Sequence, residues 1–232
     1  YDDIYSTPGQ KKYYVVNNVL EVFTSKVGQF VEIMNLEEFG NALFIDNEIQ
    51  VAVKDEKIYS STFFKSSYDL SKKNNNVAII GGGDGGVARE CLDNNTNYID
   101  WYELDPEIVE SCYRHLPSVC SKVKKSNTVN TFWGDAFESI KSVEDSKYDK
   151  IFVDLNDDQY CIDLARKNMK ALKRILKPGG IITAQVGSKD KKPKQVENWC
   201  KVLEKSFGNV NVSGVYIPSF DCNWNFASSI MK

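Results

Sequence analysis

Hydrophobic residues follow two different rhythms along the chain. From Tyr13 to about Phe64, short apolar runs alternate with polar turn residues. Val15–Phe23, Gln29–Leu36, Asn41–Asp46 and Glu48–Val53 are rich in Val, Ile, Phe and Leu, and Asp46-Asn47 marks a tight hairpin between the last two. The pattern predicts a small antiparallel sheet and then a helix over Ser60–Leu70, broken by the polar run Lys72–Asn76. From Val77 onward strands alternate with helices. Val77–Ile80, Tyr98–Glu103, Lys150–Asp154 and Ile181–Gln185 read as short strands. Asp84–Asp93, Pro106–Leu116, Tyr160–Leu176 and Lys194–Phe207 read as helices, and Val210–Tyr216 and Asn225–Met231 as closing strands. Ile162, Ala165, Met169, Leu172 and Leu176 fall at helical spacing and make one apolar packing stripe, which Pro178-Gly179-Gly180 ends.

Such alternation predicts an α/β fold, with a Rossmann-like, doubly wound, mostly parallel sheet over residues 67–232 and a small antiparallel β domain over 1–66. A length of 232 residues is enough for one core plus an appendage. Net charge is −3, which gives no basis for nucleic acid or anionic membrane as partner and suits a cationic substrate. No run approaches the roughly 18–20 apolar residues of a membrane span, and Tyr1–Lys12 has no apolar core of a secretory signal. The six cysteines are scattered without a CxxC pair and read as reduced thiols of a cytoplasmic protein. His115 is the single histidine and sits late in a helical segment, where a cation is a common structural choice. It argues against a zinc site and against a Ser-His-Asp hydrolase.

The strongest local signal is Val77-Ala78-Ile79-Ile80-Gly81-Gly82-Gly83-Asp84-Gly85-Gly86. A strand runs into glycines and a helix begins, the arrangement that lets a ligand approach the backbone at the carboxyl end of a strand. Glu103 ends the next strand and is placed to accept hydrogen bonds from both hydroxyls of a ribose, a spacing that fits NAD enzymes and nucleoside-bearing methyl donors equally. Asp135 precedes a helix and either bonds an adenine amino group or serves as helix N-cap. Asp154, Asp157 and Asp158 cluster at the carboxyl end of a further strand. Like charges held together raise one another's pKa and call for a cation among them. A carboxylate beside an alkylammonium can both hold it and take its proton. Asp84 repels a donor that keeps a carboxylate and attracts one that keeps only a terminal amine.

These residues identify a resemblance. The chain resembles the spermidine synthase, or polyamine aminopropyltransferase, family along most of its length. The resemblance rests on Phe39–Gln50 with Asp55–Tyr59, on the Gly-Gly-Gly-Asp-Gly-Gly loop, on Asp154 through Asp157, and on Gln185 with Ile217-Pro218-Ser219-Phe220. It implies the sheet of class I methyltransferases and transfer of an aminopropyl group from decarboxylated S-adenosylmethionine, as co-substrate, to a di- or polyamine, with release of methylthioadenosine. It implies that Gln29, Gln50, Gly81, Gly83, Asp84, Glu103, Leu104, Asp135 and Ala136 bind the donor. Asp154 and Tyr59 would orient and deprotonate the amine, and Asp157, Gln185, Phe220 and Trp224 would contact it. It further implies no metal or other cofactor, and a homodimer. The chain departs from the family pattern at Ser60, where histidine is usual, at Asp158–Cys161, where a proline and a Gly-Pro-Ala gate are usual, and at Phe220, where tyrosine is usual. With Trp224, the last change points toward a longer amine, as in thermospermine and spermine synthases. The alternatives are a relative that binds without turnover and an S-adenosylmethionine-dependent methyltransferase.

Overall fold

Strand pairing divides the chain into the two regions that the apolar rhythm suggests. The computed structural model describes residues 1–3 and 11–232; residues 4–10, part of the polar amino-terminal stretch, lie outside the described residues. β1 (Asp2–Asp3) pairs with β2 (Lys12–Tyr13). β3 (Val16–Thr24), β4 (Phe30–Leu36), β5 (Gly40–Ile45) and β6 (Glu48–Ala52) follow as an antiparallel meander in that order. Asp46 and Asn47, at φ 49° and 66°, make the β5–β6 turn, and two left-handed residues match the twist of a hairpin. Val31, Ile33, Leu43 and Val51 bury one face of this sheet against the helix residues Ile108 and Cys112 and against Leu116, which follows them.

α1 (Glu56–Tyr68) leads into β7 (Asn76–Gly81), α2 (Gly86–Asp93), β8 (Tyr98–Glu103), α3 (Pro106–His115), α4 (Pro117–Lys124), β9 (Val129–Trp133) and α5 (Ala136–Ser139). β10 (Tyr148–Asp154), α6 (Gln159–Ile175), β11 (Leu176–Gly187), α7 (Pro193–Phe207), β12 (Asn211–Ile217) and β13 (Cys222–Ile230) complete the chain. The second sheet runs β12-β13-β11-β10-β7-β8-β9, parallel from β11 to β9, with β13 and β12 antiparallel at one edge. Its central strands are apolar on both faces, as a doubly covered sheet requires. Ile79 and Phe152 join the core under α1, while Ile80, Ile151 and Val153 join the core under α6 and α7.

Several boundaries differ from the sequence pattern, each for a local reason. α1 starts at Glu56 rather than Ser60, because the Asp55 carbonyl already accepts from the Ile58 amide at 2.9 Å. Its Phe63 stacks on Phe226 at 4.8 Å and meets Phe152 at 5.3 Å, so α1 covers the large sheet. α4 and β9 are too short to show a period: α4 has eight residues, with Val119, Cys120 and Val123 buried, and β9 is an edge strand with Phe132 and Trp133 exposed. β11 begins at Leu176, so that residue opens a strand instead of closing the helical stripe, and the pairing jumps from Tyr148–Leu176 to Lys150–Ile181 around Pro178–Gly180. Among the described residues, no helix is long and apolar enough to cross a membrane.

Candidate active site

The order of the large sheet reverses between β7 and β10: the chain builds outward from β7 through β8 to β9, then returns to build outward from β10. A crevice opens at the carboxyl ends of strands at such a switch point. The glycines after β7 let the loop sit in it. Gly81 and Gly82 take left-handed φ values of 81° and 73°. A Cβ on Gly81 would collide with the Asp154 carbonyl oxygen, and one on Gly82 would stand 2.9 Å from Asp154 Oδ2. Only glycine lets the loop pass this close to the end of β10.

Acids line the crevice from three strands. Asp154 ends β10, and the Tyr59 hydroxyl donates to its Oδ1 at 2.6 Å. Burial, reinforced by the charge of Asp84, pushes Asp154 up to about 7 against the relief that Tyr59 gives. Asp84 follows the glycines and accepts from the Gly86 amide at 2.6 Å at the start of α2; burial raises it to about 6. Glu103 ends β8, accepts from the Asp105 amide at 2.9 Å, and is pushed up to about 7, first by burial and then by the charges of Asp105 and Asp84. Burial and the negative charge of Asp154 hold the Tyr59 phenol well above its ordinary range, so it stays a donor. Asp157 is buried three residues beyond Asp154, and Lys192 Nζ lies 3.8 Å from its Oδ1.

The small sheet closes the opposite side. Gln29, at the entry to β4, Glu48 and Gln50, on β6, and apolar Ile45 and Ile49 face the glycine loop across a cavity of about 220 Å³. Leu104 lines the same cavity beside Glu103. Aromatic rings form the remaining wall: Tyr59 lies 6.2 Å from Phe220 and 6.5 Å from Trp224. Gln185 is held by three partners, donating to the Leu155 carbonyl and accepting from the Gly187 amide and Trp224 Nε1, each at 3.1 Å. The turn carrying Phe220 is anchored by Asp55, which accepts from the Ser219 amide at 2.6 Å and the Ser219 hydroxyl at 3.0 Å.

Thus Gln29, Gln50, Tyr59, Gly81, Gly83, Asp84, Glu103, Leu104, Asp154, Asp157, Gln185, Phe220 and Trp224 come together. Asp135 and Ala136 do not line the cavity. Asp135 is exposed, and its Oδ1 caps α5 by accepting from the Phe137 amide at 2.8 Å. Sequence reasoning missed Glu48 and Cys161 on the cavity wall. It also missed a buried ion cluster behind the glycine loop, where Arg89 meets Glu56 at 2.6 Å and Glu90 at 2.8 Å. No local pattern singles these out: Glu48, Glu56 and Cys161 come from three different elements, and Arg89-Glu90 on α2 reads as an ordinary pair of charged helix residues.

Comparison with known proteins decides the family. The spermine/spermidine synthase domain matches residues 56–232, more than half of the chain. The chain belongs to the spermine/spermidine synthase family. The spermidine synthase tetramerisation domain matches residues 1–52. A polyamine aminopropyltransferase of Korarchaeum cryptofilum is 29% identical over 215 residues, covering 92% of this chain and 67% of the relative. One of Prochlorococcus marinus strain MIT 9215 is 30% identical over 212 residues, covering 89% and 75%. A spermidine synthase solved in complex with the transition state analogue AdoDATO superposes with a TM-score of 0.91 at 19% identity, over all of this chain and 80% of that one, and shares the fold. The family's two matched regions meet between residues 52 and 56, at the entry to α1.

Proposed function

We propose that this member of the family transfers an aminopropyl group from decarboxylated S-adenosylmethionine to a di- or polyamine, and that the cavity holds both reactants. The observation that carries the reading is the convergence of Asp84, Asp154 and Asp157 on one cavity that also contains Glu103 and the glycine loop. Glu103 accepts from the ribose hydroxyls, with Gln29, Gln50, Gly81, Gly83 and Leu104 around the nucleoside. Asp84 faces the terminal amine of the donor. A donor that kept its carboxylate would meet this anion at close range, which disfavours an ordinary methyl donor. Asp135 and Ala136 lie outside the cavity lining and carry no donor contact in this reading.

The acceptor nitrogen lies between Tyr59 and Asp154, with Asp157, Gln185, Phe220 and Trp224 along its chain. Its lone pair attacks the propyl carbon attached to sulfur. The carbon–sulfur bond breaks and its electron pair stays on sulfur, so the sulfonium becomes the thioether of methylthioadenosine. The proton lost by the amine passes to Asp154. A sulfonium is already a good leaving group, so positioning and fixed charge supply most of the acceleration. Methylthioadenosine release with putrescine, cadaverine, agmatine and spermidine tests the reading and ranks acceptors. Calorimetry with the decarboxylated donor and the intact methyl donor tests the discrimination by Asp84. Tighter binding of the intact donor would overturn the reading; binding of the decarboxylated donor with no release would reduce the chain to a ligand-binding relative.

The pKa values of the site set a pH dependence. Asp84, Asp154 and Glu103 titrate at about 6, 7 and 7, above their ordinary values of 3.8, 3.8 and 4.5. In the ligand-free protein, their contribution to stability is therefore present below about pH 4 and is lost as pH rises through 6–7. A cation bound among them favours the ionised forms. Affinity for the decarboxylated donor is expected to rise from about pH 5.5 to about pH 7.5, while the melting temperature of the ligand-free protein falls over the same interval. Calorimetry and melting curves across that range measure both; an affinity independent of pH would remove Asp84 and Glu103 from the donor site.

We place self-association on the small sheet. β3 is one of its two edge strands, and Val19 and Val22 are 59% and 49% exposed beside Tyr13 and Val15, also exposed. An apolar edge of this kind is a surface that proteins cover. Light scattering is expected to give at least a dimer, and Val19→Glu combined with Val22→Glu is expected to shift it to a monomer. An unchanged mass would move the interface elsewhere.

A further inference from the structure

Lys192 stands just before α7 with its amide bonded to the Ser188 carbonyl at 2.8 Å, so its backbone is fixed where β11 turns into the helix. Its Nζ lies 3.8 Å from Asp157 Oδ1 and 3.8 Å from Glu48 Oε1. These carboxylates come from opposite sides of the cavity, Asp157 from beyond β10 and Glu48 from the small sheet, and both line it. Asp157 is pinned in place: it is 4% exposed, and its carboxylate lies against Gly187, where any Cβ would collide with it. The side chain of Lys192 is only 32% exposed. An ammonium of the protein therefore already sits between two acids of the cavity wall, while Lys192 itself stands behind the lining residues.

We propose that Lys192 is a specificity-determining residue for the acceptor: its ammonium takes the place between Asp157 and Glu48 that the second ammonium of a diamine would otherwise occupy. This rests on the aminopropyltransferase reading and deepens it. An acceptor with one amine leaves the bridge intact. An acceptor with a second ammonium at this distance must displace Nζ or share the two carboxylates with it, and gains less from them than it would from the acids alone. Lys192 thus lowers the preference for diamines over monoamines of equal length.

The test compares putrescine with n-butylamine, which have the same carbon chain and differ by one ammonium. Lys192→Met keeps the apolar stem and removes the charge. It is expected to raise the putrescine-to-butylamine ratio of kcat/KM by about fivefold, the worth of one partly screened ion pair, with KM for the decarboxylated donor unchanged. Lys192→Arg keeps the charge and is expected to hold the ratio of the unaltered protein. A ratio that is unchanged or lower in Lys192→Met overturns the proposal. Should Lys192→Met not fold, Glu48→Gln removes the far carboxylate, loosens the bridge and is expected to change the same ratio; no change there overturns it equally. If the unaltered protein releases no methylthioadenosine with any amine, the catalytic reading fails separately, and calorimetric binding of putrescine against butylamine to the same variants still decides the role of Lys192.

Discussion

Asp154→Asn is expected to lower the rate of methylthioadenosine release by at least about 100-fold at pH 7.5 while leaving the protein as stable as before, or more so. The substitution is close to isosteric. The Asn carbonyl oxygen can still accept from the Tyr59 hydroxyl, which now lies 2.6 Å from Asp154 Oδ1. What disappears is the negative charge and the site that takes the proton of the attacking amine, a contribution worth roughly 10²–10⁴ in rate. Stability moves the other way, because burial and Asp84 hold Asp154 at about 7, so its ionised form is unfavourable in the ligand-free protein. An inactive but well-folded variant separates a chemical role from a structural one. The unaltered enzyme is also expected to gain rate with pH as the base ionises, and the variant to lose that limb. Single-turnover release at several pH values measures both; a loss below about tenfold, or an unchanged pH limb, would remove Asp154 as the base. Tyr59→Phe, which deletes only the orienting hydroxyl, is expected to cost less than Asp154→Asn.

Much of this site is legible in the sequence because its parts sit at strand ends. Gly81–Asp84 follow β7, Glu103 ends β8 and Asp154 ends β10, and a parallel sheet brings equivalent ends of neighbouring strands to one edge. Position in an alternating pattern is enough to place such residues. The limits are equally physical. Asp135 also follows a strand, β9, but β9 is the sheet edge, and its carboxylate turns to cap a short helix, one of the two roles its position allows. Glu48 and Lys192 meet only because the small sheet folds over the large one, a contact between residues 144 positions apart that no periodicity records. Helix α4 buries Val119, Cys120 and Val123 but is only eight residues long, too short a run to declare a period, and β9 is an edge strand that buries little and so needs few apolar residues. The usual histidine is replaced by Ser60, whose hydroxyl donates to Glu56 at 3.3 Å; this links the departure to the ion cluster behind the loop instead of to the cavity.

That cluster carries the largest expected effect on stability. Arg89 is 5% exposed and Glu56 and Glu90 are each 7% exposed, so all three are nearly dry. Arg89 reaches Glu56 on α1 and Glu90 on its own helix with separate nitrogens, a fork that only a guanidinium supplies. The bond to Glu56 fastens α1, which carries Tyr59, to α2, whose first turn holds Asp84. Arg89→Met fills similar space but leaves two carboxylates buried without their cation, and removing one partner of a buried pair costs about 3–5 kcal/mol. For a chain of this size that corresponds to a fall in melting temperature of roughly 10 °C. The deficit is expected to shrink as pH is lowered, since the stranded carboxylates can then take protons. Arg89→Lys is expected to recover only part of it, because one ammonium cannot bond both acids in the same way. Adding Glu56→Gln and Glu90→Gln to Arg89→Met removes the charges together and is expected to restore most of the stability, since a neutralised cluster no longer holds unpaired ions. Release of methylthioadenosine should nevertheless stay low in that triple variant, because the link between the Tyr59 helix and the Asp84 loop is gone. A melting temperature for Arg89→Met within about 2 °C of the unaltered protein would show that the buried cluster does not secure α1, and a triple variant with full activity would show that the link does not position the site.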